Sequence, residues 1–197
     1  MTPEIRAIAD RFIYEQATLK HMMALVPEGG FERDIPELDW TVRQLFGHMA
    51  QTLTTYCDGV RTWLEGVDPT EGDDPERTNA DTAARSSKTP AEEIAAHFGS
   101  GLNELVRTLA LVPNEKTEDA FGPKTFFEAL TDWSEHFLSH AVALVRALPE
   151  VRMDPLVLNW LLHATFDEDE RRKWQEELLA EARAYIATLS DDEEDEE

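Results

Sequence analysis

The sequence predicts an all-α protein built as a helical bundle, and three observations carry the prediction. Apolar residues recur at three- and four-residue spacing over several long stretches, and segments containing Pro and Gly separate those stretches. The chain has 197 residues, 42% of them hydrophobic, which suits one domain with a sizeable core and leaves little room for a second.

The first helix runs from Pro3 to Val26, with Ile5, Ile8, Phe12, Leu19, Met23 and Val26 on one face and Thr2 and Pro3 at its start. Gln16 falls within that stripe. It either faces a site inside the bundle or bonds to neighbouring backbone, and the second is expected. His21 points away from the stripe, toward solvent. Gly29, Gly30 and Pro36 mark a loop, after which helix two begins at Asp39 or Trp40. Its buried stripe is Val42, Leu45, Met49, Leu53, Tyr56, Val60 and Trp63, flanked by a polar strip of Thr41, His48, Thr52 and Thr55.

Gly66 to Pro90 is acidic and rich in turn-forming residues, so a long loop is expected between helices two and three, either crossing the bundle or covering a site. Thr89, as capping residue, with Pro90 and Glu92 opens helix three, whose stripe is Ile94, Phe98, Leu102, Leu105, Leu109 and Val112. Gly122 and Pro123 precede helix four, with Phe126, Leu130, Trp133, Phe137, Ala141, Leu144 and Leu148 buried. The bundle domain thus spans 1–148. A C-terminal helical hairpin follows over 149–190, packed on the bundle or at a dimer interface, with His163 as buried scaffold. Residues 191–197, DDEEDEE, read as a disordered, solubilising tail.

A formal charge of −23 argues against a nucleic-acid surface, because 41 acidic side chains against 18 basic ones repel phosphates. No apolar run approaches the roughly 18 residues that a membrane span needs, and no signal peptide is visible. Cys57 is the single cysteine, which excludes an intramolecular disulfide and fits a reducing cytoplasm. It lies nine residues after His48, on the opposite side of their helix.

The sharpest chemical pattern is His136 and His140 in Thr131 to Leu144, TDWSEHFLSHAVAL. Four residues apart on a helix, two imidazoles can reach one ion, and His48 on a second helix is the candidate third ligand. His140 falls next to Trp133 and Phe137, while His136 lies toward the polar side, so an ion held by both sits where the bundle meets water. Asp132, one turn before His136, either orients that ring or is simply solvated. His97 sits on the flank of helix three, near the ion at second remove or on the surface.

Trp40, Val42, Leu45, Gly47 and His48 resemble the W-[ST]-x-x-[DEQ]-[IL]-x-x-H segment of the DinB/YfiT-like family, and Trp133 to His140 resembles that family's later H-x-x-x-H helix. The resemblance covers about Pro3 to Leu148. It implies a four-helix bundle of unusual connectivity, with zinc or nickel held by His48, His136 and His140.

Three neutral imidazoles leave such an ion its full charge and an open position. The resemblance therefore implies a thiol-dependent transferase in which the metal activates a low-molecular-weight thiol of the bacillithiol or mycothiol type, bound beside Thr52, Trp133 and Phe137. The alternatives are a metal-dependent hydrolase and a non-catalytic metal-binding stress-response bundle. Expected partners are a small-molecule substrate or thiol, and a second copy in a homodimer.

Overall fold

The computed structural model describes residues 2–35, 37–69, 75–117 and 119–151, and they form an all-α bundle. Helix α1 (Pro3–Ala24) starts as expected: Thr2 Oγ1 accepts from the Ile5 amide at 3.4 Å, and proline occupies the first helical position, where no amide donor is needed. An antiparallel hairpin follows, with β1 (Asp34–Ile35) paired to β2 (Trp40–Thr41). That hairpin delays α2 (Val42–Leu64) beyond the expected Asp39 or Trp40. Two local causes combine. Asp39 adopts φ 53°, a left-handed turn conformation, and Thr41 caps the helix through a reciprocal box with Gln44.

The expected loop over 66–90 contains a helix of its own, α3 (Pro75–Ser86). Its sequence, PERTNADTAARS, has no large apolar residue to signal a buried face, and it touches the bundle through Thr82, Ala83 and Ser86. Gly47 of α2 makes that contact possible, since a Cβ there would lie 1.9 Å from Ser86 Oγ. Helix α4 (Ala91–Ala110) then begins with Pro90 as its cap, making no side-chain capping bond. Thr89 is not the cap; its hydroxyl donates to the Arg85 carbonyl at 3.1 Å and closes α3 instead.

A second hairpin, β3 (Ala120–Phe121) with β4 (Lys124–Thr125), launches α5 (Phe126–Ala147) through another capping box, Thr125 with Glu128. The two helices carrying the candidate histidines are therefore started by the same device. They run antiparallel, because Trp63 near the end of α2 stacks on Phe126 at the start of α5 (4.9 Å, 11°), while Tyr56 stacks on Trp133 further along (4.2 Å, 10°). Phe12 of α1 completes the aromatic layer, 5.6 Å from Phe137 and 6.4 Å from Tyr56.

Helix α2 packs closely on α4, and α1 lies against α4 and α5. The connection between α1 and α2 is fixed to the end of α5: Arg33 donates to the Ala147 carbonyl at 3.1 Å and to Glu150, and Arg146 pairs with Glu37 at 3.3 Å. The apolar stripes expected for α2 and α5 are largely the observed core, with Leu45, Met49, Leu53, Phe126, Leu130, Phe137 and Leu144 without exposed surface. The C-terminal hairpin beyond residue 151, His163 within it, and the acidic tail lie outside the described residues. No described helix is long and apolar enough to cross a membrane.

Candidate metal centre

The seam between α2 and α5 brings His48, His136 and His140 together, with their ligand atoms all within 4.8 Å of one another. His136 Nε2 stands 3.3 Å from His48 Nε2 and 3.1 Å from His140 Nε2. Nitrogen ligands about 2.0–2.1 Å from a tetrahedral ion are about 3.3–3.4 Å apart, so these spacings match three corners of a metal site. Hydrogen bonding alone satisfies the cluster poorly. The single lone pair on His136 Nε2 can accept from one neighbour, leaving the other nitrogen without a bond to it; for His48 the alternative is the Thr52 oxygen at 3.5 Å, the outer limit of a hydrogen bond. A cation satisfies all three.

Burial also keeps the rings in their ligating form. It draws His48 down to about 4, with His136 adding to the effect, and His140 down to about 3, with His136 and His48 contributing after burial. His136 is lowered by burial as well. At neutral pH all three rings are neutral, each with one nitrogen free of a proton. His48 and His140 are buried at 4% and 8% exposure whereas His136 is half-buried, which puts the approach from solvent on the His136 side.

The surroundings are aromatic and hydroxylic. The Trp40 ring lies 5.1 Å from His48 and Phe137 lies 5.8 Å from His136. Thr52, one turn beyond His48, donates to the His48 carbonyl at 2.9 Å and holds its oxygen 3.5 Å from His48 Nε2. Trp133 is flat against Tyr56, and Phe137 is fully buried, so it forms the wall behind His136.

Several sequence expectations need correcting or placing. Asp132 does not bond to His136; it pairs with Lys124 at the base of the β3–β4 hairpin, both side chains about half exposed. Gln16 does not bond backbone: it is fully buried, and neither its amide nitrogen nor its oxygen has a hydrogen-bond partner. His97 is on the surface, 3.2 Å from the Thr54 hydroxyl, and His21 is exposed. Cys57 is buried away from the cluster; burial raises its thiol pKa, against a smaller lowering by Thr108, so it stays protonated at neutral pH. A separate polar cleft of about 170 Å3 lies on another flank of α2, where Gly47 and Gln51 face Ser86, Glu93 and His97.

The sequence reading missed Glu15. Its carboxylate is fully buried, accepts from Ser134 Oγ of α5 at 2.7 Å and pairs with Arg11 at 2.7 Å. Burial pushes its carboxyl pKa up, against Ser134 and Arg11, which pull it down. Its position three residues after Phe12 and four before Leu19, on the apolar stripe, was the available signal.

Residues 15–133, more than half of the chain, match the Mycothiol maleylpyruvate isomerase N-terminal domain; the matched stretch contains His48 and ends three residues before His136. No curated protein and no solved structure matches.

Proposed function

The chain belongs to the mycothiol maleylpyruvate isomerase N-terminal domain family, within the DinB-like helical superfamily, and from that premise we propose that it is a metal-dependent enzyme acting with a low-molecular-weight thiol of the mycothiol type. The observation that carries the reading is the convergence of ring nitrogens from three neutral imidazoles at ligand spacing. His48, His136 and His140 would hold a divalent ion, zinc or nickel. Bound there, the ion supplies a Lewis-acid position at which a thiol loses its proton at neutral pH.

The chain's own residues do the remaining work. His48 and His140, from two antiparallel helices, fix the depth of the site, while half-buried His136 marks its open side. Thr52 stands beside His48, and with its proton given to the His48 carbonyl its oxygen would accept from a bound molecule. Phe137, fully buried 5.8 Å from His136, would exclude water from the inner wall and so strengthen charge interactions at a bound ion, with Trp133 proposed to extend that wall one turn back. The nucleophilic sulfur belongs to the thiol cofactor, since the Cys57 thiol is buried and protonated. The co-substrate on this reading is a small electrophile that accepts the thiol.

Elemental analysis of wild type beside His48→Ala, His136→Ala and His140→Ala tests the site. Stoichiometric zinc or nickel in the wild type, lost in each variant, is the expected result; equal metal in all four proteins overturns the assignment. A thermal-shift screen with mycothiol, bacillithiol and glutathione, with and without metal, then tests the thiol. Stabilisation by a thiol only in the presence of metal is expected, and metal binding with no thiol response would leave a non-catalytic metal-binding bundle.

A further inference from the structure

The geometry points to Glu15 as a positioning residue for the metal site, acting from α1 through Ser134 to set the rotation of α5. This inference rests on the metal reading above and adds to it a residue from a helix that contributes no ligand. The starting observation is a carboxylate with no exposed surface in the core of the bundle. A leucine would fill such a position without the desolvation that a buried charge suffers, and replacing every partner of a buried polar network by apolar groups is often neutral or stabilising. What the carboxylate adds is direction: one bond of defined length, 2.7 Å, to Ser134 Oγ, with Arg11 holding its other oxygen.

Ser134 lies two residues before His136, so the two side chains leave α5 about 200° apart around the axis. Helix α5 is thus held on one side by Glu15 of α1 and presents its imidazoles on the other side to His48 of α2. Packing restrains rotation about a helix axis through many small non-directional contacts, whereas one directional bond fixes the phase at a single point. An imidazole nitrogen about 6 Å from the axis moves about 1 Å for a 10° rotation, beyond the roughly 0.5 Å tolerance of a functional site. Among the described residues, and apart from the histidines themselves, the Glu15–Ser134 bond is a polar restraint from another helix within one turn of His136. Neutral or ionised, Glu15 accepts from Ser134, so the restraint does not depend on its charge.

The test compares zinc affinity, by competition with a chromophoric chelator, and apo thermal stability in wild type, Glu15→Leu, Glu15→Gln and Ser134→Ala. Glu15→Leu leaves the buried Ser134 hydroxyl without its acceptor, so it is expected to fold with lower apo stability and to bind zinc about tenfold more weakly, the scale of effect seen when groups behind a metal ligand are removed. Glu15→Gln keeps an oxygen acceptor for Ser134 and should bind zinc within about twofold of wild type. Zinc affinity that is equal in wild type and Glu15→Leu overturns the proposal, as does a Glu15→Gln variant as impaired as Glu15→Leu. If Glu15→Leu does not fold, Ser134→Ala decides: weaker zinc binding supports the restraint and unchanged binding refutes it. A wild type that binds neither zinc nor nickel refutes the metal reading before any variant is compared. Crystal structures then decide the restraint separately, through His136 Nε2 distances that lengthen in Glu15→Leu or stay at 3.1–3.3 Å.

Discussion

On one side of α2, Leu53 meets Gly101 of α4 so closely that a Cβ on that glycine would lie 3.1 Å from the Leu53 Cβ, whereas on another side His48, Thr52 and Tyr56 reach toward α5 through rings and a hydroxyl. The first seam is narrow and apolar, and the second is wide enough for three imidazoles and a stacked Tyr56–Trp133 pair. One helix therefore supplies both stability and chemistry by dividing them between its faces. Close backbone approach leaves no volume for a ligand; large flat side chains between more distant backbones leave a site at their edge.

Acid should act on the wide seam and produce the largest effect. The folded-state pKa values of His48 and His140 lie near 4 and 3, below the ordinary 6.5, so as pH falls below 6.5 the unfolded chain takes up protons that the fold refuses. Apo stability should drop by about 4 kcal/mol from pH 7 to pH 5 on account of these two rings. Urea unfolding in the presence of chelator measures it, and a His48→Phe/His140→Leu double variant should lose most of that slope. An unchanged slope would mean that the rings charge freely within the fold.

Leu53→Ala, on the narrow seam, should cost about 3 kcal/mol through lost burial and the cavity left behind, while zinc stoichiometry stays at the wild-type value. Loss of zinc at pH 7 in a still-folded Leu53→Ala protein would show that the seams are not independent. Gly47→Ala should cost about 2 kcal/mol, because Ser86 must move and α3 with it, and the better helix propensity of alanine recovers only part of that. Protease sensitivity near α3 should rise in the same variant, and a stabilised protein would argue that α3 is not seated on α2. Gly101→Ala is the mildest, within about 1 kcal/mol of neutral, since the gain in helix propensity offsets the tight contact with Leu53. A loss well beyond that would place the narrow seam at a hard steric limit.

What could be read from the sequence follows the same division. The stripes of α2 and α5 were legible because burial on one side leaves a 3.6-residue period, and the histidine pair was legible because i and i+4 share a helix face. Two antiparallel helices could bring His48 opposite that pair, and the likeness of the Trp40–His48 and Trp133–His140 segments to a known family strengthened that placement, since spacing within one helix says nothing about its neighbour. Helix α3 was hidden because its contacts are made by Thr82, Ala83 and Ser86, which leave no apolar period. Glu15 and Gln16 were hidden or misread for the opposite reason: they occupy core positions that the pattern assigns to apolar residues, so Gln16 was placed in the stripe with a backbone partner it does not have, and Glu15 was passed over as an ordinary acidic side chain. The hairpins before α2 and α5, two residues per strand, are too short for an alternating pattern to register.

Those hairpins also govern how this architecture tolerates change in length. Each histidine-bearing helix takes its first residue from a paired strand and a threonine cap immediately before it, so residues inserted upstream, in the connections before Asp34 or before Ala120, alter the slack in the chain without shifting the phase of either helix. An insertion between Thr41 and His48, or between Thr125 and His136, has no such buffer and would swing the imidazoles about 100° per added residue.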